Sequence, residues 1–172
     1  MRLVPLTADY EFSDFDCGDS DLNDFLFDDA KPSQRLRIAN TFILEAEDGR
    51  IAAYFCLLND KISKDEVIGS RWKKIKSTFP KEKQFHSYPS IKIGRFAVSQ
   101  EFHGKKIGSE MMDMLINKLQ SVPSQSAFHY LTVDAYLSAV PFYEKNGFVR
   151  LTQKDEDEYT RLMFYDMLEV GW

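Results

Sequence analysis

The nineteen residues from Ser90 to Gly108, Ser-Ile-Lys-Ile-Gly-Arg-Phe-Ala-Val-Ser-Gln-Glu-Phe-His-Gly-Lys-Lys-Ile-Gly, constrain this chain more than any other stretch. Ile91 to Val98 alternates and is rich in β-branched residues, the pattern of a central strand. From Ile107 the apolar residues Met111, Leu115 and Leu119 recur every four positions, with Met112 and Ile116 widening the stripe, which predicts a core-facing helix. A strand that turns tightly into a helix start presents successive backbone N–H groups to an anion. The glycines Gly104 and Gly108 let backbone approach a ligand closely, and Lys105 and Lys106 add positive charge. The loop therefore suits a phosphorylated ligand. Its spacing is neither Gly-x-x-x-x-Gly-Lys-Ser/Thr nor Gly-x-Gly-x-x-Gly, and a glycine-containing turn with no ligand is an equally good reading of the loop taken alone.

The rest of the chain reads as alternating strands and helices. Strands are expected at Arg2 to Thr7, Thr41 to Glu47, Ile51 to Leu58, Phe128 to Val133, Phe148 to Thr152 and Arg161 to Leu168. Asp48-Gly49 marks a hairpin between the second and third of these. A short helix places Leu22, Phe25 and Leu26 on one side, with Ser20 or Asp21 as its N-cap. Another runs from Ala139 to Lys145 and is stopped by Asn146-Gly147. A basic helix ends before Pro80. With 172 residues and no repeat or linker, one mixed-sheet domain with helices on its faces fits best, carrying a basic insertion at about 60–90.

Charge is distributed unevenly. Lys and Arg number 22 against 27 Asp and Glu, a net charge of −5 that disfavours a dedicated nucleic-acid binder. Asp9 to Asp29 holds eight aspartates and one glutamate with no Lys or Arg, whereas Arg71, Lys73, Lys74, Lys76, Lys81 and Lys83 face the single Glu82. That run reads either as a solvated helix face or as a patch for phosphates. The two cysteines, Cys17 and Cys56, suggest reduced thiols in a cytoplasmic protein. No start segment or apolar run suggests secretion or a membrane span. His86, His103 and His129 do not cluster, so no metal site is expected.

A second motif gives the loop its meaning. Ala139, Tyr143, Gly147 and Phe148 resemble the Ala-x-x-x-Tyr-x-x-x-Gly-Phe signature of the GNAT N-acetyltransferases, and His103 to Gly108 is similar to that family's pyrophosphate loop. His103 stands where Gln or Arg is usual, Lys106 where glycine is usual, and Tyr136 where many members carry Asn. The opening, Phe15-Asp16-Cys17-Gly18 with Leu22-Asn23 and Phe25-Leu26, and the strand Ile93-Gly94-Arg95-Phe96-Ala97-Val98 resemble the acetyltransferase toxins of bacterial toxin–antitoxin modules.

The resemblance implies a single α+β domain: a mostly antiparallel sheet with a splayed parallel strand pair and helices on both faces. It implies acetyl-coenzyme A as donor, with Phe96, Ala97 and Val98 pairing its pantetheine amides. The pyrophosphate would lie on His103, Gly104, Lys105, Lys106, Ile107, Gly108 and Ser109. A neutral primary amine attacks the thioester, a backbone N–H near Val98 polarises the carbonyl, and Tyr143 protonates the departing thiolate. Asp134 is a candidate base by position only. In the toxin branch the acceptor is the α-amine of aminoacyl-tRNA, Arg71, Lys73, Lys74 and Lys76 meet tRNA phosphates, Trp72 stacks on a base, and a small antitoxin protein is the partner. The alternatives are a small-molecule or protein amine as acceptor, or an acyl-coenzyme A sensor without turnover. Trp172 and the last strand suit either a homodimer or simple C-terminal packing.

Overall fold

A computed structural model describes residues 1–67, 69–77, 79, 85–121, 127–151 and 159–168. Among the described residues seven strands, mostly antiparallel with one parallel pair, combine with helices in a mixed α+β fold. Two compact units divide the chain: Met1–Leu58 with Ile93–Pro123, and Asn59–Lys92 with Ser124–Trp172.

In the first unit β1 (Arg2–Pro5) pairs antiparallel with β2 (Asn40–Glu45), which pairs with β3 (Ile51–Ser63). The β2–β3 turn falls where Asp48-Gly49 places it. Gly49 takes φ of 83°, the Ala46 N–H donates to the Arg50 carbonyl at 2.9 Å, and the Asp48 carboxylate accepts from the Arg50 N–H. The helical stretch before β2 comprises α1 (Ser20–Asp24), a π-helical turn (Phe25–Asp29) and α2 (Ala30–Arg35). Pro32 has no N–H for the ladder, and the wider turn lies just ahead of it. The N-cap of α1 is Asp19, one residue before the expected pair: its carboxylate accepts from the Leu22 N–H at 3.3 Å. Leu6, Phe15, Leu26, Ala30, Ile43, Ile51, Tyr54 and Ala97 form one core. The buried Tyr54 hydroxyl donates to the Leu22 carbonyl at 2.6 Å, so α1 is fastened to the strand beneath it. β4 (Ser87–Val98) ends in this unit and leads to α4 (Ile107–Ser121), whose Ile107, Met111, Met112, Leu115 and Ile116 are buried on the predicted stripe.

In the second unit β5 (Tyr130–Tyr136) pairs antiparallel with β7 (Thr160–Asp166), in register from Tyr130 opposite Asp166 to Tyr136 opposite Thr160. β6 is only Val149–Arg150 and pairs with β7. β5 starts two residues later than the sequence suggests and runs three further, which puts Asp134 inside the strand rather than at its end. The basic helix α3 (Gly69–Ser77) ends before Pro80 as expected. Its Trp72 and Ile75 enter a core with Ile62, Val67, Tyr88, Tyr130, Leu151 and Phe164. This corrects one expectation: Trp72 is 5% exposed and its ring lies 5.7 Å from that of Tyr88, so it is not available to stack on a nucleotide base. α5 (Val140–Lys145) follows β5 through a short 3-10 turn.

Candidate active site

The candidate donor loop is built in the first unit. β4 ends at Val98, the Ser99 N–H donates to the Ala52 carbonyl at 2.9 Å, and a 3-10 turn over Gln100–Phe102 leads to the α4 start. Phe102 is buried, with the Lys105 ammonium 5.0 Å and the Arg50 guanidinium 5.4 Å from its ring centre. His103 Nε2 lies 2.9 Å from the Val98 carbonyl oxygen; in the tautomer protonated there it donates to that oxygen and braces the loop against the strand. His103, Gly104, Lys105 and Lys106 are exposed, Gly108 and Ser109 partly so, and Ile107 is buried. Lys106 accepts from the Glu110 N–H at 3.1 Å, the first bond of the helix. The N–H groups of Ile107, Gly108 and Ser109 have no carbonyl one turn earlier to reach, and the positive end of the helix dipole lies with them.

Two residues of the loop are left-handed. Gly104 has φ of 74° and Lys106 has φ of 63°. For a lysine that conformation costs about 1–2 kcal/mol, and it falls at the position where glycine is usual in the similar family loop. Lys106→Gly is therefore expected to raise the melting temperature by about 2 °C, the relief of strain being partly offset by glycine's greater unfolded-state freedom. A thermal melt that falls instead would assign Lys106 a packing role that outweighs its backbone.

The loop is also tied to the acidic N-terminal segment. The Asp16 carbonyl accepts from the Gln100 N–H at 2.8 Å, and its carboxylate accepts from the Gln100 side-chain amide, the Gly18 N–H and the Asn23 amide at 2.8–2.9 Å. The Asn23 oxygen in turn accepts from the Cys17 N–H at 3.0 Å. These bonds hold the Asp16 carboxyl below the usual carboxylate range, chiefly through Asn23. The Asp-Cys-Gly and Leu-Asn motifs thus form a knot under the loop. Gly18 is left-handed there, and a Cβ on it would meet the Gln100 amide at 3.3 Å. An open groove of about 500 Å³ beside the knot carries Asp14, Asp16 and Glu101, the wrong sign for a phosphate. Phe96 stacks at 6.5 Å on Phe55, and Ala97 is buried.

In the second unit Tyr143 is 5% exposed on α5, edge-on to Phe142 at 5.2 Å and to Phe148 at 5.3 Å. Burial pushes its hydroxyl well above the ordinary tyrosine range. The helix ends as the sequence predicts. Asn146 is the C-cap, Gly147 has φ of 87°, and the Phe148 N–H donates to the Tyr143 carbonyl at 3.0 Å. Asp134 is exposed and ion-paired with Lys92. Tyr136 is exposed at the end of β5. Of the basic residues, Lys73 is exposed, Arg71 and Lys76 are partly exposed, and the Lys74 side chain, Lys81 and Lys83 lie outside the described residues. Trp172 lies outside them too. Both cysteines are free thiols, and burial lifts that of Cys56 to about 11. Among the described residues no group of three or more His, Cys, Asp or Glu is arranged to hold a metal.

A strand that delivers its chain to the bare N–H groups of a long helix suits an anionic, phosphate-bearing group, the arrangement of a nucleotide-cofactor protein. The comparisons narrow that class. The family model described as an acetyltransferase (GNAT) domain matches residues 81–168. Three solved structures are similar over nearly the whole chain. AtaT complexed with acetyl-methionyl-tRNAfMet is 25% identical with a TM-score of 0.79, covering 98% of this chain and 96% of that one. A tyrosine-to-phenylalanine mutant of KacT is 22% identical, TM-score 0.77, with 98% and 97% covered. A tyrosine-to-phenylalanine mutant of the AtaT toxin, bound to the C-terminus of the antitoxin AtaR and acetyl-CoA, is 22% identical, TM-score 0.73, with 98% and 94% covered. The chain belongs to the GNAT acetyltransferase family, and it is an N-acetyltransferase.

Proposed function

We propose that this chain transfers the acetyl group of acetyl-coenzyme A to the α-amine of an aminoacyl-tRNA and so acts as a translation-blocking toxin, held in check by a small antitoxin protein in the cytoplasm. The observation that carries the reading is the end-to-end likeness to AtaT captured with acetyl-methionyl-tRNAfMet. In this reading residues 1–172 work as one acetyltransferase domain with the basic stretch at about 60–90 as an insertion. No described helix is long and apolar enough to cross a membrane.

The residues divide the chemistry. The backbone of Phe96, Ala97 and Val98 pairs with the pantetheine arm. The N–H groups of Ile107, Gly108 and Ser109 take the pyrophosphate, with Gly104 opening the approach and Lys105 and Lys106 adding charge. His103 holds the loop to the strand instead of reaching for phosphate, because its ring is engaged with Val98. The incoming neutral amine attacks the thioester carbonyl, an oxyanion forms, and collapse expels the coenzyme A thiolate, which takes a proton from Tyr143. An aminoacyl ester's α-amine is less basic than an alkylamine, so much of it is neutral near pH 7 and a strong base is not needed.

The test is thiol release from acetyl-coenzyme A with charged tRNA and with a panel of small amines, alongside growth on expression. Turnover with charged tRNA and arrested growth are expected. Turnover with small amines alone would shift the acceptor, and acetyl-coenzyme A binding with no thiol release against any amine would make the protein a sensor. Arg71, Lys73, Lys74 and Lys76 are assigned to tRNA phosphates. Changing Lys73, Lys74 and Lys76 together to glutamine should weaken tRNA binding and lower the slope of log affinity against log salt by about 2–3. An unchanged slope would leave α3 a solvated face.

A further inference from the structure

Trp72 is closed to a base, but the second unit exposes two other rings. Among the described residues four phenylalanine or tyrosine side chains are exposed: Phe27, Phe85, Tyr136 and Tyr159. Phe27 lines the groove with Asp14, Asp16 and Glu101, which repels a phosphate, and Phe85 stands edge-on to Tyr88 at 6.2 Å. Tyr136 and Tyr159 differ because they meet at one end of a strand pair. Tyr136 is the last residue of β5, opposite Thr160, the first of β7. The Leu137 N–H donates to the Tyr159 carbonyl at 3.1 Å and carries the ladder one residue further. At that tip Tyr136 is 43% exposed, Leu137 44% and Tyr159 72%.

The surroundings of the tip suit a nucleotide. Side chains two apart on a strand share a face, so Tyr136 projects from the same side as Tyr130. Across β7 that side carries Thr160, Leu162 and Phe164. Trp72 and Ile75 of α3 pack there against Tyr130 and Phe164. The helix that bears Arg71, Lys73 and Lys76 therefore covers the face from whose end Tyr136 emerges, which puts cations for phosphates and a ring for a base on one side of the unit. From the tip the chain runs through a three-residue 3-10 turn, Leu137–Ala139, into α5 and Tyr143. Size decides between occupants. A stable protein interface takes about 800 Å² from each partner, far more than three side chains supply, whereas a single nucleobase stacks on one or two rings. On an aminoacylated nucleotide only the ribose and the ester separate the base from the amine, which matches a tip joined so closely to the Tyr143 helix.

We infer that Tyr136 and Tyr159 seat the nucleobase at the amine-bearing end of the acceptor, their rings supplying the stacking faces. The inference deepens the aminoacyl-tRNA reading, on which it rests, by naming what tells a nucleotide-borne amine from a free one. Coenzyme A carries a base as well, and the experiment separates the two sources.

That experiment uses the full chain and two acceptors: charged tRNA, which carries the base, and methioninamide, which does not. Tyr136→Ala and Tyr159→Ala are each expected to raise the KM for charged tRNA about 5- to 100-fold. The ratio of kcat/KM for charged tRNA to that for methioninamide should fall by the same factor, with the KM for acetyl-coenzyme A unchanged. Tyr136→Phe and Tyr159→Phe keep the ring and should keep the wild-type KM, while Tyr159→Leu, which keeps apolar bulk without a π face, should behave as Tyr159→Ala does. Both side chains are exposed, so the melting temperature should not move. Binding is read apart from turnover, from backbone 15N–1H shifts with the trinucleotide CpCpA as probe. Saturable shifts at Leu137, Thr160 and Arg161 are expected, and they should vanish in the double alanine variant. A tRNA KM that stays put in both alanine variants, or CpCpA shifts that survive the double change, overturns the inference even where charged tRNA is acetylated. A KM that rises for acetyl-coenzyme A instead assigns the tip to the donor's adenine and overturns it too. Tyrosine-dependent CpCpA binding with no amine acetylated leaves the base site standing and removes the acetyl-transfer reading.

Discussion

Replacing Tyr143 with phenylalanine is expected to lower kcat about 10²- to 10⁴-fold while leaving the affinity for acetyl-coenzyme A unchanged, since the role assigned to its hydroxyl is proton donation to the leaving thiolate. The ring itself packs edge-on against Phe142 and Phe148, and phenylalanine keeps both contacts, so the fold should survive the change. The burial that raises the hydroxyl's pKa also keeps it protonated across the working range. The wild-type rate should then show no alkaline fall attributable to Tyr143 below about pH 10. Retained turnover in the phenylalanine variant, or toxicity on expression equal to wild type, would remove this side chain from the mechanism.

The second large effect is expected at Gly147. Its φ of 87° belongs to the region glycine favours, and a Cβ there would stand 3.0 Å from the Tyr165 ring carbon Cε2. Gly147→Ala should therefore destabilise the protein by about 2 kcal/mol, which for a chain of this size lowers the melting temperature by about 4–8 °C. Because the Phe148 N–H closes the turn onto the Tyr143 carbonyl, the strain reaches the tyrosine, and activity should fall further than stability alone would dictate. A thermal melt together with kcat measured well below the transition separates the two. A variant that melts like wild type would mean that the ring of Tyr165 yields without cost.

Much of this architecture was legible in the residues because it depends on local rules. The Asp48-Gly49 hairpin, the four-residue stripe of α4 and the Asn146-Gly147 stop each follow from backbone preferences within a few positions, and the structure has them where expected. Boundaries moved where tertiary pairing decides them: β5 extends to Tyr136 because β7 offers a partner through Thr160. The candidate donor loop was visible as a motif, yet the left-handed backbone at Lys106 was visible only as an unusual residue in the pattern. Trp72 misled for a physical reason. On a lysine-rich helix it looks like an exposed aromatic, but α3 turns its apolar edge inward and Tyr88 covers the ring.

The knot at Asp16 has a consequence for how separable the donor loop is. Its four hydrogen bonds to Gln100, Gly18 and Asn23 make the acidic N-terminal segment part of the loop's foundation, although the two are more than eighty residues apart in the chain. The loop is consequently not a portable module: residues 99–109 moved to another scaffold would arrive without the carboxylate that fixes their first turn. Substitutions in the opening motif should register first as a loss of donor affinity, far from any residue that a donor would touch.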